Sequence, residues 1–356
     1  MASLLVLSCI SFLFIFPFTS SSSIPIRSDY EISLLFEGWL VKLNKSYKDA
    51  SEKEKRYEIF KDNLWYIDEH NAGNHTFTLG LNIFADITVE EYRATYLGTL
   101  PPSPSIYMAN DELLKIDESD NHYINVTTTP DSIDWRDLGA VTPVKNQGGC
   151  YSCWAFATLA TLEAINQINT GNLITLSEQQ LVDCAKKSCD EGHYIHETYE
   201  YIINNGGVDT DEDYPYIDKA AKCDTTKENK KTVSIDDYKL ATQENEFALK
   251  AVVAKQPAAV IVEAYERNFQ LYKKGIFTSY CGTKVDHAVT IVGYDTASSI
   301  DYWIIKNSWG DFWGEAGYMR LERNIKAISG KCGVALYPYY PIQNSTNENP
   351  RETKFK

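Results

Sequence analysis

Basic residues are in short supply in this chain. Lys and Arg number 34 against 49 Asp and Glu in 356 residues, a net charge of −15. No basic stripe exists to neutralise phosphates, which argues against a nucleic-acid partner. The simplest reading of the acidity is solubility. Long apolar runs are equally scarce. Only Leu4 to Phe18 stands out, and it is too short and wrongly flanked, by Thr19 and Ser20 to Ser23, for a transmembrane helix. It has the length of a signal-peptide core, although no Lys or Arg precedes it. Cleavage is expected near Ser22, giving a soluble product of the secretory pathway that does not engage a membrane. The C-terminus lacks an ER-retention ending.

Cysteine is sparse as well. Of eight, Cys9 leaves with the leader, and Cys150, Cys153, Cys184, Cys189, Cys223, Cys281 and Cys332 remain. An odd number in a secreted chain leaves one thiol over, and the other six can pair in fifteen ways. A zinc site is the rival reading, with Cys150-x2-Cys153 and Cys184-x4-Cys189 as ligand pairs. An oxidising compartment favours disulfides and no metal.

What is present is organised around Gln147-Gly148-Gly149-Cys150-Tyr151-Ser152-Cys153-Trp154. The glycines permit a sharp turn. From Trp154, apolar residues recur at Phe156, Leu159, Leu162, Ile165 and Ile168 with helical period, and Gly171 stands at the usual stop position. Cys153 is therefore placed at a helix N-terminus, where unpaired N–H groups and the dipole favour a thiolate. A lone Cys of this kind is as readily a small buried hydrophobe. Downstream, Val285-Asp286-His287-Ala288 and then Lys306-Asn307-Ser308-Trp309-Gly310 follow at the spacing of about 130–150 residues expected for a Cys nucleophile and its His and Asn.

With these motifs the chain resembles the papain family of cysteine peptidases over essentially its whole length, and plant members in particular. The resemblance implies an α+β, papain-like fold of two lobes. A helical left lobe is expected at about 140–240 and an antiparallel, β-barrel-like right lobe at about 241–340. It also implies the pairing Cys150–Cys189, Cys184–Cys223 and Cys281–Cys332, with Cys153 free. Upstream, 29–71 reads as helical and charged. It carries Glu52, Arg56, Ile59, Phe60, Asn63, Ile67 and Asn71 in the pattern of the ERFNIN signature of papain-type propeptides, and Gly80-x-Asn82-x-Phe84-x-Asp86 resembles the companion GNFD motif. Residues 23–128 are accordingly expected to be an inhibitory propeptide. They end in a Pro- and acid-rich linker from about 99, cut near Thr128 or Thr129. Residues 129–343 are then the mature peptidase and 344–356 a polar tail. Sequons at Asn44, Asn74, Asn125 and Asn344 are candidate glycosylation sites.

Within the mature part, Ser177 and Gln180 have capping-box spacing, and Glu197 to Asn204 reads as a short helix stopped by Gly206-Gly207. Strands are expected at Ala258 to Ala264, His287 to Tyr294, Tyr302 to Lys306 and Tyr318 to Glu322. The resemblance assigns roles. Cys153 is the nucleophile, His287 its base in a thiolate–imidazolium pair, Asn307 the ring's orienter and Trp309 its shield. Gln147 and the Cys153 N–H stabilise the oxyanion. Singly, His287 reads as a core histidine, Asn307 as a turn and Gln147 as surface; together they read as a cysteine endopeptidase made as a zymogen and acting through an acyl-enzyme.

The chain departs from the family pattern where Tyr151 replaces glycine before the nucleophile, and where Cys189-Asp190-Glu191-Gly192 stands on the facing wall. Tyr151 is expected to narrow the subsite nearest the scissile bond and Glu191 to make its rim acidic, favouring Arg or Lys if Tyr151 leaves room. If Tyr151 blocks the path, the chain becomes a weak or inactive peptide-binding or inhibitory homologue. A peptide ligase on the same chemistry is the other alternative. Gly192 and Asp286 are expected along the substrate backbone. His193, Tyr194, Ile261, Val285, Ala288 and Tyr337 are expected to line the second subsite, preferring Val or Leu. The expected partners are polypeptide substrates, the chain's own propeptide and cystatin-like inhibitors. A monomer without cofactor is expected, located outside the cell or in a vacuole or lysosome.

Overall fold

The computed structural model describes residues 27–99, 101 and 129–344. The expected signal segment, most of the expected linker, the Asn125 sequon and the tail beyond Asn344 lie outside the described residues.

The charged N-terminal stretch forms two helices, α1 (Asp29–Leu43) and α2 (Ala50–Ala72). Asn44 adopts the left-handed conformation and stops α1, and the Asp49 side chain accepts from the Glu52 amide to start α2. Phe36, Trp39 and Leu40 of α1 pack on Phe60 and Leu64 of α2. The signature asparagines serve the backbone: Asn63 donates to Ala85 and Ile87 carbonyls, and Asn71 exchanges two bonds with Leu79. Strand β1 (Phe77–Leu79) then pairs antiparallel with a strand of the C-terminal part, and α3 (Val89–Tyr96) follows behind a Thr88/Glu91 capping box.

Cys153 opens α4 (Cys153–Thr170), which Gly171 ends in the left-handed region. This helix is buried along most of its length because it lies between its own helical lobe and the sheet. Ser177 caps Gln180 N, but the Gln180 side chain turns to the Asp209 amide, so the box is only half made. Helix α5 (Ile195–Asn205) is closed by Gly206.

The sheet comprises β1, β2 (Ile133–Asp134), β3 (Asp237–Leu240), β4 (Ala258–Val262), β5 (Tyr272–Phe277), β6 (His287–Ala297), β7 (Ile300–Lys306), β8 (Tyr318–Glu322) and β9 (Tyr339–Ile342). Its order is β1-β5-β8-β7-β6-β4-β9-β3, with β2 on β6. Two expectations change. The sheet is open, not closed into a barrel, and β5–β8 is a parallel pair. The lobes also interleave: β2 comes from the start of the mature segment, β3 from the nominally helical half, and β1 from the propeptide.

The pairings Cys150–Cys189, Cys184–Cys223 and Cys281–Cys332 are present, and Cys153 is the free cysteine. Of the four sulfurs in the zinc reading, those of Cys150, Cys184 and Cys189 are thus taken up in disulfides.

Candidate active site

The site forms where the first turn of α4 meets the start of β6. Helix α4 brings Cys153 and β6 brings His287, both fully buried. In β4–β6 register, Val262 faces His287 and Ile261 faces Ala288. The turn before α4 is held by the Cys150–Cys189 disulfide, by Tyr151 N donating to Cys189 O at 3.3 Å and by Trp154 Nε1 donating to Tyr151 O at 2.8 Å.

The tautomer of His287 follows from its partners. Asn307 Oδ1 accepts the Ser308 amide at 2.8 Å, which identifies it as the oxygen. His287 Nε2, also 2.8 Å from that oxygen, must therefore carry the proton and donate. Nδ1 is left as a buried base with no partner among the described residues. Trp309 lies over the imidazole, centroids 4.4 Å apart, and is itself buried by Phe84, Tyr92, Phe269 and Trp313.

Gln147 is fully buried. Its Oε1 accepts from Ser308 Oγ at 2.6 Å, which turns Nε2 toward the carbonyls of Tyr96 (3.2 Å) and Cys150 (3.3 Å). The Gln147 backbone is further fixed by Tyr216, whose hydroxyl donates to the Gln147 main-chain carbonyl at 2.7 Å and contacts Ser152 Oγ at 2.8 Å.

The thiol itself is occupied by the propeptide. Thr99 Oγ1 lies 2.9 Å from Cys153 Sγ, and Thr99 N donates to Asp286 O at 3.1 Å. No hydrogen bond joins Cys153 to His287 in this covered state. Burial pushes the Cys153 thiol up, against the Thr99 hydroxyl and nearby amides that favour the thiolate. Burial likewise holds His287 down at about 4, with Asn307 opposing. Both shifts favour the neutral forms, thiol and uncharged imidazole, while the propeptide covers the site.

Of the subsite residues, Ile261, Val285 and Ala288 share one apolar cluster with Cys153 and Trp154, and Tyr337 packs against it. His193 meets the Trp154 ring edge-on at 4.8 Å and is held near pKa 4 by burial, Lys186 and His196. Tyr194 sits beside His193 and His196. Gly192 abuts the carbonyl of Gly98. Glu191 is not gathered in: its side chain is 74% exposed and its carboxylate lies 3.3 Å from Lys186.

Sequence reasoning missed Thr99, Ser308 and Tyr216. It also missed a buried network joining the lobes, in which Lys145 binds Glu163 and Glu178 while Lys306 reaches Glu163 through Thr142.

The inhibitory segment is anchored by the second propeptide motif. Gly80 N donates to Leu271 O, Asn82 Nδ2 to Gln270 O, and Phe84 meets Trp309 edge-on at 5.0 Å. Asp86 is buried between Lys45 Nζ (2.5 Å) and Tyr47 OH (2.8 Å), and Arg56 of α2 binds Glu91 of α3 at 2.6 Å.

Residues 129–342 match the papain family cysteine protease domain, and residues 36–92 the cathepsin propeptide inhibitor domain. Cysteine proteinase RD21A of Arabidopsis thaliana is 48% identical over 326 residues, which span 90% of this chain and 69% of that protein. Chymopapain of Carica papaya is 49% identical over 312 residues, 87% and 86% of the two chains. Among solved structures, a recombinant stem bromelain precursor superposes with TM-score 0.79 at 41% identity, covering 88% of this chain and 99% of its own. The proform of the ragweed pollen allergen cysteine protease Amb a 11 does so with TM-score 0.79 at 37% identity, covering 91% and 97%. The chain belongs to the papain family of cysteine proteases and carries that family's inhibitory propeptide ahead of its catalytic domain.

Proposed function

We propose that the mature enzyme cleaves internal peptide bonds through Cys153, His287, Asn307 and Gln147, after release of residues up to about 128. The observation that carries this reading is the bare Nδ1 of His287, held by the Nε2–Asn307 bond on the strand that faces the start of α4. With Thr99 gone, water enters and the desolvation that keeps both groups neutral relaxes. The proton then moves from Sγ to Nδ1, giving a thiolate at a helix N-terminus beside an imidazolium. Sγ attacks the substrate carbonyl, the developing oxyanion takes hydrogen bonds from Gln147 Nε2 and the Cys153 amide, and His287 protonates the leaving amine. Water assisted by His287 then opens the acyl-enzyme. The present donation of Gln147 Nε2 to the peptide carbonyl of Tyr96 supports its role.

Asp286 O and Gly192, which now meet Thr99 and Gly98, would hold the substrate backbone. Ile261, Val285, Ala288, Tyr337, His193 and Tyr194 would line an apolar second subsite. Passage through the secretory pathway to a vacuole or the cell exterior fits the N-terminal apolar run and the three disulfides. Cystatin-like proteins would compete for the same cleft, and a monomer suffices for the chemistry.

The test is titration of the acid-activated protein with a thiol-trapping epoxide, followed by mapping of the modified residue and peptide hydrolysis. Stoichiometric modification at Cys153, lost in His287→Ala together with activity, is expected. Activity that survives His287→Ala refutes the assignment.

A further inference from the structure

Gly98 of the propeptide is confined by space and not by backbone conformation. Its φ lies outside the left-handed region, so any residue could adopt its conformation. Yet a Cβ built there would sit 2.6 Å from Tyr151 Cβ and 2.7 Å from Tyr151 Cγ, and closer still to Cδ1. On the other side the Gly98 carbonyl presses against Gly192, where a Cβ would collide with it. The propeptide therefore crosses the cleft at a slot one glycine wide.

Rotation of the Tyr151 ring does not open that slot. The overlap already involves Tyr151 Cβ, whose position is set by the backbone. That backbone is pinned by the adjacent Cys150–Cys189 disulfide, the bond from Tyr151 N to Cys189 O and the bond from Trp154 Nε1 to Tyr151 O. All three lie within the mature domain and survive loss of the propeptide. Only the bond from the Tyr151 hydroxyl to Ala94 O is given up. The facing Glu191 is turned out toward Lys186 and does not contribute.

A substrate must bring its scissile carbonyl carbon to Cys153 Sγ. Beside Thr99, the Gly98 backbone also hydrogen-bonds Cys153, so the residue that owns this carbonyl shares with Gly98 the space bounded by Cys153, Tyr151 and Gly192. We propose that Tyr151 makes this protease selective for glycine on the acyl side of the scissile bond. The proposal rests on the peptidase reading above and adds the identity of the residue it cuts after. Forcing a Cβ into a packed wall typically costs enough to lower kcat/KM by about ten- to a hundredfold.

The experiment uses acid-activated enzyme with active sites counted by epoxide titration, so that an inert preparation indicts the peptidase reading and not this one. Peptides identical except for Gly, Ala or Arg before the cleaved bond are compared in wild type and Tyr151→Gly. Wild type is expected to prefer Gly at least about tenfold, and Tyr151→Gly to cut Ala and Arg peptides as well as Gly peptides. Tyr151→Ala keeps the Cβ and should retain part of the preference. A second readout needs no substrate: Gly98→Ala should raise epoxide labelling of the intact precursor, and should do so no longer when combined with Tyr151→Gly. Equal cleavage of Gly, Ala and Arg peptides by wild type overturns the proposal. So does an unchanged profile in Tyr151→Gly, or a Gly98→Ala precursor as silent as wild type.

Discussion

Replacing Asp86 by Asn should unlock the precursor. The Asp86 side chain is 4% exposed and receives Lys45 Nζ and Tyr47 OH, while Arg56 donates to its backbone carbonyl. Asparagine keeps the shape and can still accept from Tyr47, but it leaves Lys45 without its countercharge. Lys45 retains the Ile83 carbonyl at 2.9 Å and the face of Trp39 at 4.6 Å, and its side chain is 28% exposed, so the loss falls short of that for a fully buried pair. A charge-assisted hydrogen bond contributes about 1.5–3 kcal/mol, and about 2 kcal/mol is reasonable here. At ~1.4 kcal/mol per decade, the population of precursor with its cleft open rises about thirtyfold. Epoxide labelling of intact precursor at neutral pH reads that population directly, because Thr99 covers the sulfur in the closed form. A labelling rate within about twofold of wild type, well below the thirtyfold derived above, would show that Asp86 does not hold the propeptide in place.

Three further outcomes follow from the same contacts. Gln147→Ala should lower kcat of activated enzyme by about 10²–10³ with a smaller change in KM, measured on a single peptide with titrated sites. For Glu91, burial opposes ionisation, but the Thr88 amide, Arg56 and Lys55 outweigh it and hold the carboxyl below its ordinary 4.5. Its contribution to latency is therefore complete above pH 4.5 and is lost as pH falls through the depressed value. Labelling of the precursor should rise with acid in wild type, whereas Glu91→Gln should label faster at neutral pH and respond less to acid. Removing the Cys184–Cys223 bridge, which closes a span of 39 residues, should cost roughly 4 kcal/mol, seen as a lower denaturant midpoint.

Much of the site could be read from the chain because its parts are local. Cys153 follows a glycine turn and opens an apolar-periodic helix; Asn307 and Trp309 flank Ser308; Gly171 and Gly206 end helices where glycine usually does. Strand β8 has the expected limits, Tyr318 to Glu322, and β6 runs three residues further than expected because β7 continues to pair with it. The break between α1 and α2 was signalled by Asn44 and Asp49 but hidden by a continuous charged pattern. Strands β3 and β9 are short and pair with each other across about a hundred residues of chain, β9 also meeting β4, so alternation alone did not reveal them. The Thr99–Cys153 contact and the Tyr151–Gly98 slot are products of tertiary docking; Cys153 and Tyr151 stood out in the sequence, Thr99 and Gly98 did not. The state of the thiol in the covered form is set by the same docking. A helix N-terminus favours the thiolate, but burial beneath the propeptide outweighs it.

The pH dependence of Cys153 alkylation, measured on precursor and on activated enzyme, tests the central claim most directly. In the precursor, burial raises the thiol above its ordinary 9.0, so above the acid range that loosens the propeptide alkylation should stay slow and climb again only beyond 9.0. In the activated enzyme, His287 should hold the proton, giving fast alkylation already at mildly acid pH, lost in His287→Ala. Superimposable profiles for the two forms, or a fast acid-side reaction that persists in His287→Ala, would contradict it.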